Sequence, residues 1–316
     1  MKEIGIIEVG GFKVGQAQNT EAGTGLTVIL LDHMSPAGLD VRGGGPASRE
    51  SQILNPLMTA EGINAVLLSG GSAFGLDAAG GVQRYLEERG EGFAVGPIRV
   101  PLVCQSCVFD LGCGRYDVRP DAAMAYAACE SASYDAPEEG NVGAGTGCTV
   151  GKIMGIERAM KTGFGTYAVQ AGDIKVGAMV AVNAAGDVCR RDGSVLAGLL
   201  SEDRTHCESS FEAMIRGLEV QAGTNTTIGA VVTNVKLPKA KLCKVAGMTH
   251  NGSARAIRPV HTSGDGDSIY AISTGTVEGS MDAVGALAAY AMEQAIRRAA
   301  MAAESAYGYK ALCDLE

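Results

Sequence analysis

Gly223-Thr224-Asn225-Thr226-Thr227-Ile228-Gly229-Ala230-Val231-Val232-Thr233-Asn234 joins a small, turn-prone segment to a run with strand character. The apolar and β-branched residues from Ile228 onward predict a buried strand, and the polar residues before them predict the loop that enters it. An Asn followed by two hydroxyl residues is ordinarily a polar turn. Its meaning depends on what surrounds it.

Working outward, Lys175–Asn183 reads as a strong strand that ends at Asn183 and turns through Ala184-Ala185-Gly186-Asp187. Residues 188–224 are polar and read as the most linker-like, exposed part of the chain. Downstream, Leu237–Asn251 has amphipathic helical spacing, Ile269–Thr274 reads as a strand and Met281–Ala302 as a long Ala-rich helix. Toward the N-terminus, residues 4–9, 26–32, 65–68 and 98–111 read as strands, with a Gly-rich polar loop between the first two. Ala78–Arg89 and Pro120–Ser133 read as helices, and Val41–Glu50 as a loop whose two arginines would anchor acidic neighbours. Strands and helices alternate without an internal repeat or a separable linker, which predicts one layered α/β domain over residues 1–316.

The chain has 316 residues, of which 46% are hydrophobic, 19% charged and 45 glycine. That composition supports a large core with many tight turns. A net charge of −9 with no basic run argues against nucleic acid as a partner. No signal peptide and no apolar run of membrane-spanning length is present, so a cytoplasmic protein away from membranes is expected. Nine cysteines without a pairing pattern read as reduced, buried thiols. Cys104-Gln-Ser-Cys107 has redox or zinc spacing, but only Cys113 lies near it, and no metal site is expected. The strand, glycine turn and helix around Gly70, Gly71 and Gly75 lack GxGxxG. Asn141–Lys152 fails the Walker pattern because Thr146 and Ile153 stand where Gly and Ser or Thr belong. Lys152 by itself reads as a surface lysine at a turn.

Familiar hydrolase chemistry is also missing. The histidines, at 33, 206, 250 and 261, sit in no GxSxG or HExxH context. A nucleophile activated without histidine can be an N-terminal Ser, Thr or Cys whose own α-amine, titrating near about 7.7–8.0, serves as the base. In mid-chain such an amine appears only after the preceding peptide bond is cut. Asn225-Thr226, a small polar pair at a strand start after a polar loop, fits that requirement.

Several long stretches together carry a resemblance: Asp40-Val-Arg-Gly-Gly-Gly-Pro-Ala-Ser-Arg-Glu50, Leu68-Ser-Gly-Gly-Ser-Ala-Phe-Gly-Leu-Asp-Ala-Ala79, Gly140-Asn-Val-Gly-Ala-Gly-Thr-Gly147, Asn225-Thr-Thr-Ile-Gly229 and Ala254-Arg-Ala-Ile-Arg-Pro-Val-His-Thr262. The chain resembles the L-aminopeptidase/D-esterase family, which includes β-peptidyl aminopeptidases and nylon-oligomer (6-aminohexanoate oligomer) hydrolase. The resemblance implies an αββα sandwich of the N-terminal-nucleophile kind. It implies a precursor cut between Asn225 and Thr226 into fragments 1–225 and 226–316, with Thr226 as nucleophile and Thr227 as its rival. It matches the family's Lys, Asn and paired Asp to Lys152, Asn183, Asp265 and Asp267, closest to the nylon-hydrolase branch. The aminopeptidase branch's Tyr has no counterpart, and Ser263-Gly264-Asp265 only echoes its Ser-x-Glu. The resemblance further implies a homo-oligomer, suspected tetrameric, that hydrolyses a small peptide-like amide with no metal or organic cofactor. An aminopeptidase and an unprocessed binding or assembly protein are the rival expectations.

Overall fold

The computed structural model describes residues 1–216 and 225–315. Its frame is two stacked sheets with helices on both outer faces. The first sheet runs in the order Lys2–Ile4, Phe164–Ala171, Ile174–Asn183, Thr226–Val235, Ser268–Val277, Ala37–Val41. The second runs Phe12–Asn19, Thr24–Ser35, Ile63–Ser69, Val103–Cys107, Ala47–Arg49. Pairing is antiparallel except between Thr226–Val235 and Ser268–Val277, and between Ile63–Ser69 and Val103–Cys107, which run parallel.

Alternation along each strand sorts side chains into three cores. Ile228, Ala230 and Tyr270 of the first sheet meet Phe12, Ile29 and Val66 of the second in the middle layer. Val176, Val180 and Val231 face outward onto helices Lys239–Ala256 and Met281–Met301. Val28 and Leu67 face outward onto helices Ala79–Glu87 and Ala122–Ser131. Strands covered on both faces carry apolar residues almost without a break, which is why 226–235 reads as a continuous buried run. The αββα expectation therefore holds.

The sequence reading and the structure part at several segments. Residues 6–9 form a 3-10 turn, leaving only Lys2–Ile4 as a strand. Phe12–Asn19, expected as loop, is an edge strand. Its Gly15 touches the backbone of helix Ala122–Ser131, where a Cβ would lie 1.9 Å from Ala128 O. Pro101 divides the segment expected over 98–111. Ile98–Val100 pairs with Phe93–Val95 as a hairpin, and Val103–Cys107 alone enters the sheet. Phe164–Ala171 escaped notice altogether. Inside the expected loop 41–50, Ala47–Arg49 forms a short strand. Within 188–216, Val195–Ala197 pairs with Asp187–Cys189 and Ser210–Ile215 is helical; residues 217–224 lie outside the described part. No helix among the described residues is long and apolar enough to cross a membrane.

The two long outer helices cross in close contact because small residues line the crossing. A Cβ added at Gly252 would lie 2.2 Å from Ala289 O. Gly252→Ala is therefore expected to force the helices apart and destabilise the fold by about 1–3 kcal/mol, read as a lowered urea midpoint at unchanged slope.

Candidate active site

The site forms at one end of the first sheet. Thr226 opens its strand directly opposite Asn183, which ends the neighbouring antiparallel strand. Directly opposed residues share a face, so both side chains point into the layer between the sheets, with Ile228, Ala181 and Met179. Thr227 points the other way, toward the helices, with Val231. Its Oγ1 is buried and has no hydrogen-bond partner among the described residues.

The parallel neighbour brings its own leading loop alongside. Asn225 bridges Asp265, and the Gly266 N–H donates to Asn225 O at 3.0 Å. The Thr226 hydroxyl donates to the same Asn225 oxygen. Asp267 Oδ1 accepts the Thr227 N–H at 2.6 Å, and its Oδ2 accepts from His261 Nδ1 at 2.7 Å and His261 N at 3.2 Å. Asp265 Oδ2 accepts the Thr262 N–H at 2.7 Å and the Thr262 hydroxyl at 2.6 Å, while Oδ1 is buried without a partner among the described residues. Burial, and then the neighbouring Asp267 carboxylate, raise the pKa of Asp265 above the usual carboxylate range.

Lys152 is buried, contrary to its plain reading as a surface residue. Its Nζ donates to Asn183 O and to Asn183 Oδ1, both at 2.9 Å. Asn183 Oδ1 also accepts the Thr149 N–H at 3.0 Å, and Nδ2 donates to Phe109 O at 2.8 Å. The bonds to Oδ1 and from Nδ2 fix the orientation of the Asn183 amide. Burial pulls the Lys152 pKa down to about 7, opposed first by Cys148 and then by Asp265.

The glycine motifs have structural uses here. Arg42 N and Gly45 N donate to Asp267 O at 3.0 Å and Asp265 O at 2.8 Å, laying the triple-glycine loop on the Asp-Gly-Asp segment. A Cβ at Gly43 would lie 2.3 Å from Asp265 O and 2.4 Å from Asp267 N. Arg42 pairs with Asp40 at 2.8 Å, whereas Arg49 bonds Leu76 O and Gln83 rather than an acid. The Gly71 N–H is taken by Asp110 at 2.7 Å, within the chain. Cys104 and Cys107 are buried in their strand, and burial pushes both thiols up to about 12.

The structure thus gathers Asn225, Thr226, Lys152, Asn183, Asp265 and Asp267 at one sheet end. Sequence reasoning passed over three neighbours. Gly266 acts through its main chain, and its lack of a side chain leaves room for Thr226, since a Cβ there would lie 2.9 Å from Thr226 Oγ1. His261 lies inside a quoted motif but outside any familiar histidine pattern. Asp110, whose pKa burial raises to about 6, locks the loop that carries Phe109 O.

Comparison with known proteins bears on family and fold. The profile of peptidase family S58 matches residues 5–313. An uncharacterized aminopeptidase of Mycobacterium leprae (strain TN) is 34% identical over 98% of this chain and 93% of its own length. A 6-aminohexanoate-oligomer endohydrolase of Kocuria sp. (strain KY2) is 32% identical over 85% of this chain and 74% of its own length. Two solved structures share the fold. A Burkholderia sp. beta-aminopeptidase has a TM-score of 0.70 at 20% identity, covering 98% of this chain and 92% of its own. The L-aminopeptidase D-Ala-esterase/amidase of Ochrobactrum anthropi, described as a variant of the Ntn hydrolase fold, has a TM-score of 0.69 at 18% identity, covering 95% and 86%.

The buried lysine makes stability depend on pH in a defined direction. The folded chain holds the Lys152 proton only below about 7, against an ordinary 10.5. Between those values the unfolded chain binds more protons, so this contribution is present above 10.5 and is lost as the pH falls to about 7. Urea unfolding of wild type beside Lys152→Met across that window should show the wild type losing stability relative to the variant as the pH falls. Parallel curves would contradict the burial-driven shift.

Proposed function

The chain belongs to peptidase family S58, and from that premise we propose that it is a self-processing amide hydrolase that cuts itself between Asn225 and Thr226 and then uses Thr226 as its nucleophile. The observation that carries the reading is the Thr226 hydroxyl donating to the carbonyl oxygen of Asn225 while the Gly266 N–H holds that same oxygen. In the cut, Thr226 Oγ attacks the Asn225 carbonyl carbon and the Gly266 N–H stabilises the developing oxyanion, a contribution of about 3–4 kcal/mol for one such donor. The C–N bond breaks, the hydroxyl proton passes to the leaving nitrogen, and Asn225 is left as an ester on Oγ. Water hydrolyses the ester, giving an Asn225 carboxylate, a free hydroxyl and a free α-amine.

In turnover the α-amine of Thr226 takes the hydroxyl proton, Oγ attacks the substrate amide, the amine product leaves with a proton, and water releases the acyl group. Lys152 donates to Asn183 and, in its protonated form, eases ionisation of the hydroxyl. The Asn183 amide, pinned by Lys152, Thr149 and Phe109, offers a donor to the acyl oxygen. Asp265 and Asp267 orient the α-ammonium. The substrate class is a peptide-like amide, with 6-aminohexanoate oligomers as one candidate suggested by the named relatives. The products of the cut, 1–225 and 226–316, stay together in one domain. A homo-oligomer, four subunits by the family resemblance, in a reducing cytoplasm completes the reading, and the free cysteines support such a compartment.

One observation favours a second reading of specificity. Asp265 Oδ1 is a buried acceptor without a partner among the described residues, suited to a substrate's free ammonium, as an aminopeptidase would require.

Intact mass and N-terminal sequencing of wild type, Thr226→Ala and Thr227→Ala test the proposal. The wild type should yield two fragments, the smaller beginning Thr226-Thr227-Ile228, and Thr227→Ala should cut as well. Thr226→Ala should remain one chain of 32.3 kDa. A wild type that stays whole, or a fragment beginning at Thr227, overturns it. Cleavage of amides with free and with acylated amines then separates the specificities: tolerance of the block supports an endo-acting hydrolase, and its loss an aminopeptidase.

A further inference from the structure

His261 takes no part in the chemistry above, yet its placement is unusual. Its backbone lies in the left-handed region at φ 58, which residues other than glycine adopt at a cost. Both its N–H and its Nδ1 bond to one oxygen of Asp267. With a carboxylate as acceptor a proton sits on Nδ1, while Nε2 is buried and finds no partner among the described residues. The ring packs edge to face on His250, centroids 4.7 Å apart, and His250 Nε2 in turn meets Asp40 O at 3.1 Å. A left-handed backbone and an unmatched buried nitrogen are both unfavourable. What they accompany is a fixed Asp267, whose other oxygen holds the Thr227 N–H.

We propose that His261 is a positioning residue: it locks Asp267, and through it the first peptide group of the strand Thr226–Val235, so that Thr226 keeps its attacking geometry once it has become a chain terminus. The inference rests on the self-processing reading. Before the cut, Thr226 is held from both sides. Upstream are the Gly266 bond to Asn225 O and the bridge between Asn225 and Asp265; downstream is the Asp267 bond to the Thr227 N–H. The cut frees the upstream side. The ladder to Asn183 continues, but a strand's terminal residue frays unless tied down, and the Asp267 bond is the tie next to the new terminus. His261 therefore matters more to turnover than to self-cleavage.

His261→Ala removes the ring donor. His261→Asn keeps an N–H donor and tolerates the left-handed backbone. Self-cleavage is followed by intact mass and turnover by release of p-nitroaniline from an amino-acid p-nitroanilide, with thermal melts on each chain. All three proteins should be cut to completion at rates within a few-fold of one another. His261→Ala should lose about 10- to 100-fold in kcat at nearly unchanged KM, the scale of a nucleophile misplaced by a fraction of an ångström to an ångström. His261→Asn should recover most of that loss. Wild-type kcat in His261→Ala overturns the inference, as does an asparagine variant no better than alanine, or a self-cleavage defect as large as the turnover defect. If the alanine chain does not fold, His261→Asn is compared with His261→Asp, which matches its shape without the donor; equal kcat in that pair overturns the inference. A wild type that stays whole overturns the self-processing reading and this inference with it, whereas a cut wild type with undiminished His261→Ala turnover overturns this inference alone.

Discussion

Two strands that run in the same direction begin at the same end of a sheet, and that fact organises the molecule. Thr226–Val235 and Ser268–Val277 are parallel neighbours, so the loop leading into one lies against the loop leading into the other. Asn225 therefore meets Asp265, and Gly266 meets the Asn225 carbonyl. The antiparallel strands on either flank finish where these two begin. One delivers Asn183 opposite Thr226, and the other delivers the triple-glycine loop onto Asp265–Asp267. With the opposite arrangement of the central pair, the carboxylates would stand at the far end of the sheet from the threonine.

The site is also costly, and the costs are concentrated where the chemistry is. Lys152 is nearly water-free, Asp265 has an oxygen unpaired among the described residues, and both pKa values move in the direction burial dictates. A second lysine, Lys161, is caged by main-chain oxygens of Gly145, Cys148 and Thr162 beneath the same loop. Groups of this kind oppose folding. They are retained because three continuous apolar cores surround them, and because a dry, prearranged polar site makes each hydrogen bond count for more than it would in water.

Much of this was legible in the sequence, for reasons that differ by residue. The central strands read clearly because double-sided burial leaves long apolar runs. Phe12–Asn19 and Phe164–Ala171 did not, because glycine and glutamine interrupt the apolar pattern of both. Thr226, Asn183 and Asp265 entered through motif resemblance rather than periodicity. Alternation puts Thr226 and Thr227 on opposite faces of their strand, and the structure shows that it is the face of Thr226 that carries Asn183. Lys152 misled, since nothing in a glycine-rich stretch announces that a lysine in it is buried. The role of Gly266 was hidden because a glycine between two aspartates reads as a turn, and only tertiary structure aims its N–H and sets Thr226 where a side chain would stand.

The strand order carries a further meaning. Residues from 226 onward supply two adjacent interior strands of the first sheet and both helices that cover it, while residues before 226 supply the three strands on one side, the single edge strand on the other and the whole second sheet. The core between the second sheet and its own helices lies wholly within the first portion, whereas the core between the sheets and the one under the two long helices draw residues from both portions. A single polypeptide assembles this interleaved arrangement by a first-order search. After scission at Asn225–Thr226 the same assembly from separated pieces would require a bimolecular encounter between two chains, neither of which completes the first sheet alone. The cut would then convert a reversible folding equilibrium into a kinetic trap on the folded side, with hysteresis between unfolding and refolding that deepens on dilution.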